Sequence, residues 1–337
     1  MLGAQPPAER PFKIIKLDPA LDGIVSPDAK LETIGEHFGL TEGPVWVQHG
    51  DDGYLLFSDN AGNEIYKWSP KAPLSVFLQK SGYTGNDVMN AGAQTVTGGG
   101  IAILLIGSNG LTLDPQGRLV ITAMTDRAIT RLEPDGKRTV LADRYEGKRF
   151  NGPNDIVSKS DGAIYFTDTV WGVRGAEKSP YRELPYSGFF LIKDGKVTLL
   201  GAEKDSETPN GIALSPDEKH LYVTSGRAKT MRYDVLPDDT VANPVKFIDA
   251  GMDGIKVDVK GNVYSTVMGN EIWITSPEGK RLGTLQLPYI AAEPRPRIAA
   301  TNLAFGDADS KTLYITACTH LFRIRMKATG VRPGPQR

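Results

Sequence analysis

The chain has one cysteine, Cys318, among 337 residues. A disulfide framework is therefore excluded, and the redox state of the compartment is left open. Cys318 itself reads as a buried thiol. Histidine is scarce too: His37, His49, His220 and His320 are the full complement, and their separations match no metal-binding spacing. His49 and His220 adjoin expected turns and read as surface residues. Neither sign of charge dominates. Lys and Arg number 39 and Asp and Glu 40, for a net charge of -1 and a pI near 6.5. No basic field for nucleic acid exists, and no basic amphipathic stretch suggests a membrane surface. Long apolar runs are also missing, since the longest, Ile101 to Ile106, is far too short to span a bilayer. The opening Met1-Leu2-Gly3-Ala4-Gln5-Pro6-Pro7 lacks the basic segment and apolar core of a signal peptide. A lead whose signal has already been removed reads the same way, so cytoplasm and periplasm both stay open. No serine-centred nucleophile elbow appears. Gly98-Gly99-Gly100 has no following Lys-Ser/Thr and so makes no phosphate loop.

What the chain does have is one phrase that returns six times with a polar residue at its front. The phrases are Glu42-Gly43-Pro44-Val45-Trp46, Asn109-Gly110-Leu111-Thr112-Leu113, Asn154-Asp155-Ile156-Val157-Ser158, Asn210-Gly211-Ile212-Ala213-Leu214, Asp253-Gly254-Ile255-Lys256-Val257 and Thr301-Asn302-Leu303-Ala304-Phe305. Successive anchors lie 43 to 67 residues apart, the range of a four-stranded propeller blade. Each first strand ends in a turn rich in Gly, Asp and Pro, such as Asp114-Pro115-Gln116-Gly117 or Lys159-Ser160-Asp161-Gly162. Gly supplies positive φ there, and Asp bonds its own backbone. Second strands follow as aromatic and β-branched runs: Tyr54-Leu55-Leu56-Phe57, Leu119-Val120-Ile121, Ile164-Tyr165-Phe166, Leu221-Tyr222-Val223, Val263-Tyr264-Ser265 and Leu313-Tyr314-Ile315. Such a unit cannot bury its hydrophobic face alone and must pack on its neighbours. The expectation is an all-β, six-bladed β-propeller over residues 31–330, with an N-terminal lead over 1–30 and a tail over 331–337. Residues 12–34 are expected to supply the outer strand that closes the ring with the last blade.

Radial packing would bring the six anchors together at the axis. Five of them, Glu42, Asn109, Asn154, Asn210 and Asp253, carry a carboxylate or an amide. Any one Asn before Gly is more often a turn than a ligand, and a propeller axis can hold only water. Their common phase in the repeat is the argument for a site. Oxygen donors select calcium or magnesium over zinc or copper. Two carboxylates balance one divalent charge.

Three segments break the period: residues 79–108, 169–187 and 288–300. The first strand starts on the anchor face, so the long connections also rise there. They are read as walls or a lid around a pocket, with blade decoration or an oligomer contact as the alternative. Trp171, Arg127, Arg227, Met268 and Met124 sit in turns on that face and are candidate mouth residues. His320 falls in an equivalent turn and reads as a turn histidine or as a substrate contact.

The segments around Thr41-Glu42-Gly43-Pro44-Val45-Trp46, Asn109 to Arg118, Gly152-Pro153-Asn154-Asp155, Pro209-Asn210-Gly211-Ile212-Ala213 and Met252 to Asp258 resemble the SMP-30/gluconolactonase/luciferin-regenerating-enzyme family over roughly residues 40–326. The resemblance implies a six-bladed propeller with one catalytic divalent metal in its central channel. It implies metal ligands at Glu42, Asn154, Asn210 and Asp253, with Asn109 close by, on the substrate or the metal's water. Calcium is the first expectation, with Mg2+, Zn2+, Mn2+ or Fe2+ as alternatives. Family members are mostly sugar lactonases, and relatives hydrolyse organophosphates. Residues 81–107, Thr122 to Arg127 and Asp168 to Gly172 depart from the sugar-lactonase patterns.

The expected function is metal-dependent opening of a sugar-type or related lactone. Asp253 is the candidate catalytic carboxylate. Asn109 is a candidate for catalysis and substrate contact, and Trp171, Arg127, Met268 and His320 are substrate candidates. The alternatives are a hydrolase of bulkier esters or organophosphates, and a non-catalytic propeller holding a structural ion. The expected partner is a small molecule, not nucleic acid or membrane, and the chain is expected to be a monomer or weak homo-oligomer. The run Ile101 to Ile106 has two readings: a lid over the mouth with Trp171 and Met268, or an extra outer strand on a blade.

Overall fold

A computed structural model describes residues 9–98, 101–203, 208–225, 228–267, 270–289 and 298–335. The regular elements among them are β-strands, apart from short 3₁₀ segments, and the strands build a propeller. No helix among the described residues is long and apolar enough to cross a membrane.

Three repeats fold as separate four-stranded antiparallel sheets opened by Ser108–Leu113, Pro153–Ser158 and Pro209–Leu214. The repeat opened by Met252–Val257 has a fifth strand, because Lys13–Lys16 pairs with Arg281–Gln286. That places part of the expected lead on a sheet edge. The first and last repeats share one sheet, in the order Asn302–Gly306, Thr312–Arg325, Leu31–His49, Asp52–Asp59, Glu64–Ser69 and Ala72–Gln79.

The expectation of six blades is thus corrected to five main sheets, and the reason lies in two long strands. Leu31–His49 changes partner midway: Leu31 to Glu36 pair with Ile324 to His320, and Glu42 onward pairs with Ser58 and its neighbours. Thr312–Arg325 doubles back on itself, with Met326 N donating to Lys311 O at 2.7 Å and Arg325 donating to Thr312 Oγ1 at 3.1 Å. A positive φ of 53° at Cys318 makes the reversal. The N-terminal strand therefore closes the ring against the last repeat, and two repeats become one hydrogen-bonded sheet. This hides two sheet edges that would otherwise be open to pairing.

The first strands touch in a closed circle. Leu31–His49 contacts Ser108–Leu113, then come Pro153–Ser158, Pro209–Leu214, Met252–Val257 and Asn302–Gly306, which returns to Leu31–His49. Between each neighbouring pair of repeats lies one apolar cluster. Val45, Leu56 and Ile65 pack on Leu111, Leu113 and Ile121. Phe150, Phe166 and Phe190 pack on Val120 and Ile129. Trp46 and Phe57 pack on Tyr314 and Leu321. Phe166 stacks on Phe190 at 5.3 Å and Trp46 on Tyr314 at 5.3 Å. Fully burying one such aromatic contributes about 1.5–3 kcal/mol, so stability is distributed around the circle. Every repeat depends on the two beside it.

Of the three long segments, the first forms its own ribbon, Thr95–Gly98 against Ile101–Leu104, outside any blade sheet. That overturns the outer-strand reading of Ile101 to Ile106. The second runs through short 3₁₀ turns at Val170–Gly172 and Ala176–Lys178. Most of the third lies outside the described residues.

Candidate functional site: the anchor ring

Five of the six anchors sit inside strands and Thr301 just precedes one, and a register shift marks the five. In the first strands of repeats one to five the ladder slips by one residue, between Glu42 and Val45, Ser108 and Leu111, Pro153 and Ile156, Pro209 and Ile212, and Met252 and Ile255. A β-bulge bends the strand and re-aims its side chain. The sixth first strand pairs without a shift from Asn302 to Gly306. It is the repeat whose anchor, Thr301, brings neither carboxylate nor amide.

Glycine follows four of the six anchors because the strands crowd there. A Cβ on Gly43, whose φ is +47°, would collide with the carbonyl oxygen of Asn109. One on Gly110 would lie 2.8 Å from Asn154 O. Neighbouring anchors are therefore packed backbone to backbone.

A belt of hydroxyls ties them further. Ser58 Oγ donates to Asn109 O at 2.9 Å, Thr122 Oγ1 to Asn154 O at 2.8 Å, and Thr167 Oγ1 to Asn210 O at 2.6 Å. Thr224 Oγ1 donates to Asp253 O at 2.8 Å, Thr266 Oγ1 to Thr301 O at 2.8 Å, and Thr301 Oγ1 to Thr41 O at 2.7 Å. The first five bonds run from one repeat to the anchor backbone of the next, and the sixth reaches Thr41, the residue before Glu42. Thr167 and Thr224 also accept from their own repeats, from Asp155 N at 3.0 Å and Gly211 N at 2.7 Å. Sequence reasoning missed this belt, although the signal was present: in five repeats the hydroxyl follows directly on the apolar second-strand run.

Glu42, Asn109, Asn154 and Asn210 are buried, and Asp253 is half-buried. Burial first, then the carboxylates of Asp253 and Asp155, push the Glu42 carboxyl well above its usual range. The Gly43 N–H, 3.3 Å from Glu42 Oε2, and the Lys256 ammonium oppose this. Asn109 Oδ1 is buried without a hydrogen-bond partner. A buried acceptor left bare costs about 1–3 kcal/mol, and a cation or a polar ligand would satisfy it. No group of three or more His, Cys, Asp or Glu side chains comes together as a metal cluster among the described residues. The ring's donors are two carboxylates joined by amides, which is oxygen chemistry that suits a hard divalent cation.

Trp171 is half-buried in the 3₁₀ turn after Asp168, and that turn is bonded to the strand entry by Thr169 N to Gly152 O at 3.0 Å. Asp168 is fully buried and accepts from Asn151 N at 2.8 Å and Gly152 N at 2.7 Å. Burial raises its carboxyl to about 7, against the pull of those two N–H groups and of Arg127. Arg127 is committed to structure: its guanidinium donates to Phe150 O and Arg149 O and lies 3.6 Å from Glu183 Oε1. His320 is buried just past the Cys318 reversal, with Nδ1 2.9 Å from Thr319 Oγ1 and its ring stacked on Phe322 at 5.6 Å. Burial pushes its pKa down, against the Glu36 carboxylate. Met124 is buried beneath the Gly172 turn. Met268 and Arg227 lie outside the described residues.

The first two long segments join into one wall. Arg174 N donates to Gly92 O at 2.6 Å and its guanidinium to Met89 O at 2.5 Å, while Gly175 N donates to Gln94 Oε1 at 2.9 Å.

Comparison with known proteins agrees with this architecture. Residues 40–319 match the family model described as the SMP-30/Gluconolactonase/LRE-like region. The chain is 34% identical over 334 residues to a gluconolactonase of Zymomonas mobilis subsp. mobilis, covering 94% of this chain and 87% of that one. Among solved structures it is similar to a gluconolactonase from Xanthomonas campestris, with a TM-score of 0.73, 25% identity, and 95% and 98% of the two chains covered. Its fold is also similar to that of regucalcin, a calcium-binding protein from Agrobacterium tumefaciens strain C58, with a TM-score of 0.67, 17% identity, and 90% and 98% covered. The chain belongs to the SMP-30/gluconolactonase/LRE-like family.

Proposed function

We propose that this protein hydrolyses lactones at the anchor ring, with a divalent cation, calcium first, held by Glu42, Asn154, Asn210 and Asp253. The observation that carries the reading is the buried Glu42 carboxyl crowded by Asp253 and Asp155, with Oδ1 of the next anchor, Asn109, buried without a hydrogen-bond partner. The 34% identity to a gluconolactonase supports the reaction class.

A divalent cation bound there supplies a Lewis acid that polarises the lactone carbonyl and steadies the charge developing on its oxygen. Glu42 and Asp253 balance the charge, and Asn154 and Asn210 add neutral oxygens. Asn109 orients the substrate through its amide. Asp253, the more accessible of the two carboxylates, orients the attacking water and takes its proton at a carboxylate oxygen. Water adds to the carbonyl carbon, the ring C–O bond breaks, the leaving alkoxide is protonated, and a hydroxy acid departs. The hydroxyl belt keeps the anchors at fixed separation before substrate arrives, which is the preorganisation that electrostatic catalysis needs.

The wall joined through Arg174 shapes the mouth, with Trp171 and His320 as further contacts and Arg127 as a positioning residue. Val88, Met89 and Tyr181 on this wall are exposed apolar side chains, which favours lactones less polar than an open sugar acid lactone. The test is a panel of polar and apolar lactones, aryl esters and organophosphates followed by acid release. It is run in chelator and after add-back of calcium, magnesium, zinc, manganese or ferrous iron. Lactone turnover that vanishes in chelator and returns with one ion is expected. Undiminished hydrolysis in excess chelator overturns the mechanism, and inertness toward the whole panel favours a binding protein.

A further inference from the structure

Below the anchors the channel holds a charge that the proposed reaction does not use. The residue after the anchor is glycine in four repeats but Asp155 in the third and Asn302 in the sixth. Both are buried. Lys256, three residues after Asp253, sends its ammonium to Asn302 Oδ1 at 3.2 Å, to Ile255 O at 2.9 Å and to within 3.8 Å of Asp155 Oδ2. Asp155 belongs to the third repeat, Lys256 to the fifth and Asn302 to the sixth, so the axis of the ring is where they meet. The corresponding residues of the other repeats are Val45, Thr112, Val157, Ala213 and Ala304, none of them charged. Asp155 is otherwise held by backbone: its own Oδ1 accepts from Ile156 N at 2.9 Å and its Oδ2 from Ile212 N at 3.3 Å.

We propose that Lys256 is a resident cation of the channel, a positioning residue whose ammonium neutralises Asp155 and thereby sets the net charge, and so the cation affinity, of the anchor ring above it. This rests on the reading of the ring as a divalent-cation site. Asp253 and Asp155 both act electrostatically on Glu42. With Lys256 present, these three carboxylates leave two negative charges, the complement of one divalent ion. Without it, three negative charges would face the same ion. A charge this close, in a partly desolvated channel, shifts ion affinity by on the order of tenfold or more.

The test is calcium titration by calorimetry on the full chain, comparing wild type with Lys256→Met, Lys256→Arg, Asp155→Asn and the double variant Lys256→Met/Asp155→Asn. Met fills nearly the same volume without the charge, so a purely space-filling role would leave the Kd where it was. Expected are about tenfold tighter binding in Lys256→Met and a Kd within about threefold of wild type in Lys256→Arg. Asp155→Asn should bind about tenfold more weakly, and the double variant should return toward wild type. An unchanged or weaker Kd in a folded Lys256→Met refutes the proposal. Should that variant fail to fold, Asp155→Asn decides: weaker binding supports the charge balance, and an unchanged Kd refutes it. A wild-type chain that binds no calcium refutes the ring reading and this proposal together. Binding in wild type with no change in any variant refutes this proposal alone.

Discussion

Replacing Glu42 by Gln should act in opposite directions with and without a divalent ion. The side chain is buried, and its pKa is raised by burial first and then by Asp253 and Asp155. A carboxyl whose folded pKa is raised contributes stability below its unfolded pKa and loses it as pH rises through the folded value. At neutral pH without a cation, the ionised Glu42 is therefore the costly state, and Gln removes that cost. The shape is kept, and the amide oxygen can still accept from Gly43 N. In chelator the variant should unfold at the same temperature as wild type or higher. With calcium the sign reverses. A unit charge pair about 4 Å apart is worth about 4 kcal/mol at an effective dielectric of about 20. Part of that is offset by the desolvation the carboxylate no longer suffers. A net loss of about 2–4 kcal/mol corresponds to a Kd about 30- to 1,000-fold weaker. Wild type at an ion concentration of about 100 times its Kd gains about 2.7 kcal/mol of stability, and the variant at the same concentration should gain less than about 1 kcal/mol. Thermal scans in EDTA and in calcium, with calorimetric titration, read both arms. Full calcium affinity in the variant would refute the ligand assignment. A fall of more than about 2 kcal/mol in EDTA would refute the claim that Glu42 is electrostatically crowded.

Four further outcomes are expected. Thr167→Val removes the hydroxyl that links Asp155 N to Asn210 O and should cost about 2–3 kcal/mol in urea unfolding; a loss under about 0.5 kcal/mol would mean that the belt holds nothing. Asp168 is raised to about 7, so its stabilising contribution is complete below about pH 4 and is lost between about pH 4 and 7. Relative to Asp168→Asn, metal-free wild type should lose up to about 4 kcal/mol over that window and then level off; parallel curves would show that the carboxyl is not raised. Deleting residues 1–8 should leave the melting temperature unchanged, whereas deletion through Ile34 removes Lys13–Lys16 and most of the pairing with Ile324 to His320 and should leave little folded protein by circular dichroism. Replacing residues 85–105 with a short turn should preserve calcium binding and change the ratio of kcat/KM between apolar and polar lactones; an unchanged ratio would remove that wall from substrate choice.

The sequence by itself determined the repeat, the six anchor positions and the turns. Each of these is local. Gly and Asp shape a turn within four residues, alternating apolar residues mark a strand, and the common phase of Glu42, Asn109, Asn154, Asn210 and Asp253 needs only counting. The hydroxyls at Ser58, Thr122, Thr167, Thr224 and Thr266 were within reach of the same counting. They were passed over because Ser and Thr are ordinary strand residues until a partner is in view. Only the tertiary structure decided the rest. Ring closure by an N-terminal strand was expected for residues 12–34, but no short-range pattern records that Leu31 to Glu36 pair with the last repeat and merge it with the first into one sheet, while Lys13–Lys16 pairs with Arg281–Gln286 of the fifth. Arg127 looked available at the mouth, but backbone carbonyls of Phe150 and Arg149 claim its guanidinium. Lys256, Asp155 and Asn302 come from three different repeats and meet only because ring closure carries distant strands to a common axis. Contacts of that kind depend on how neighbouring sheets pack, and a linear reading of residue types holds no measure of it.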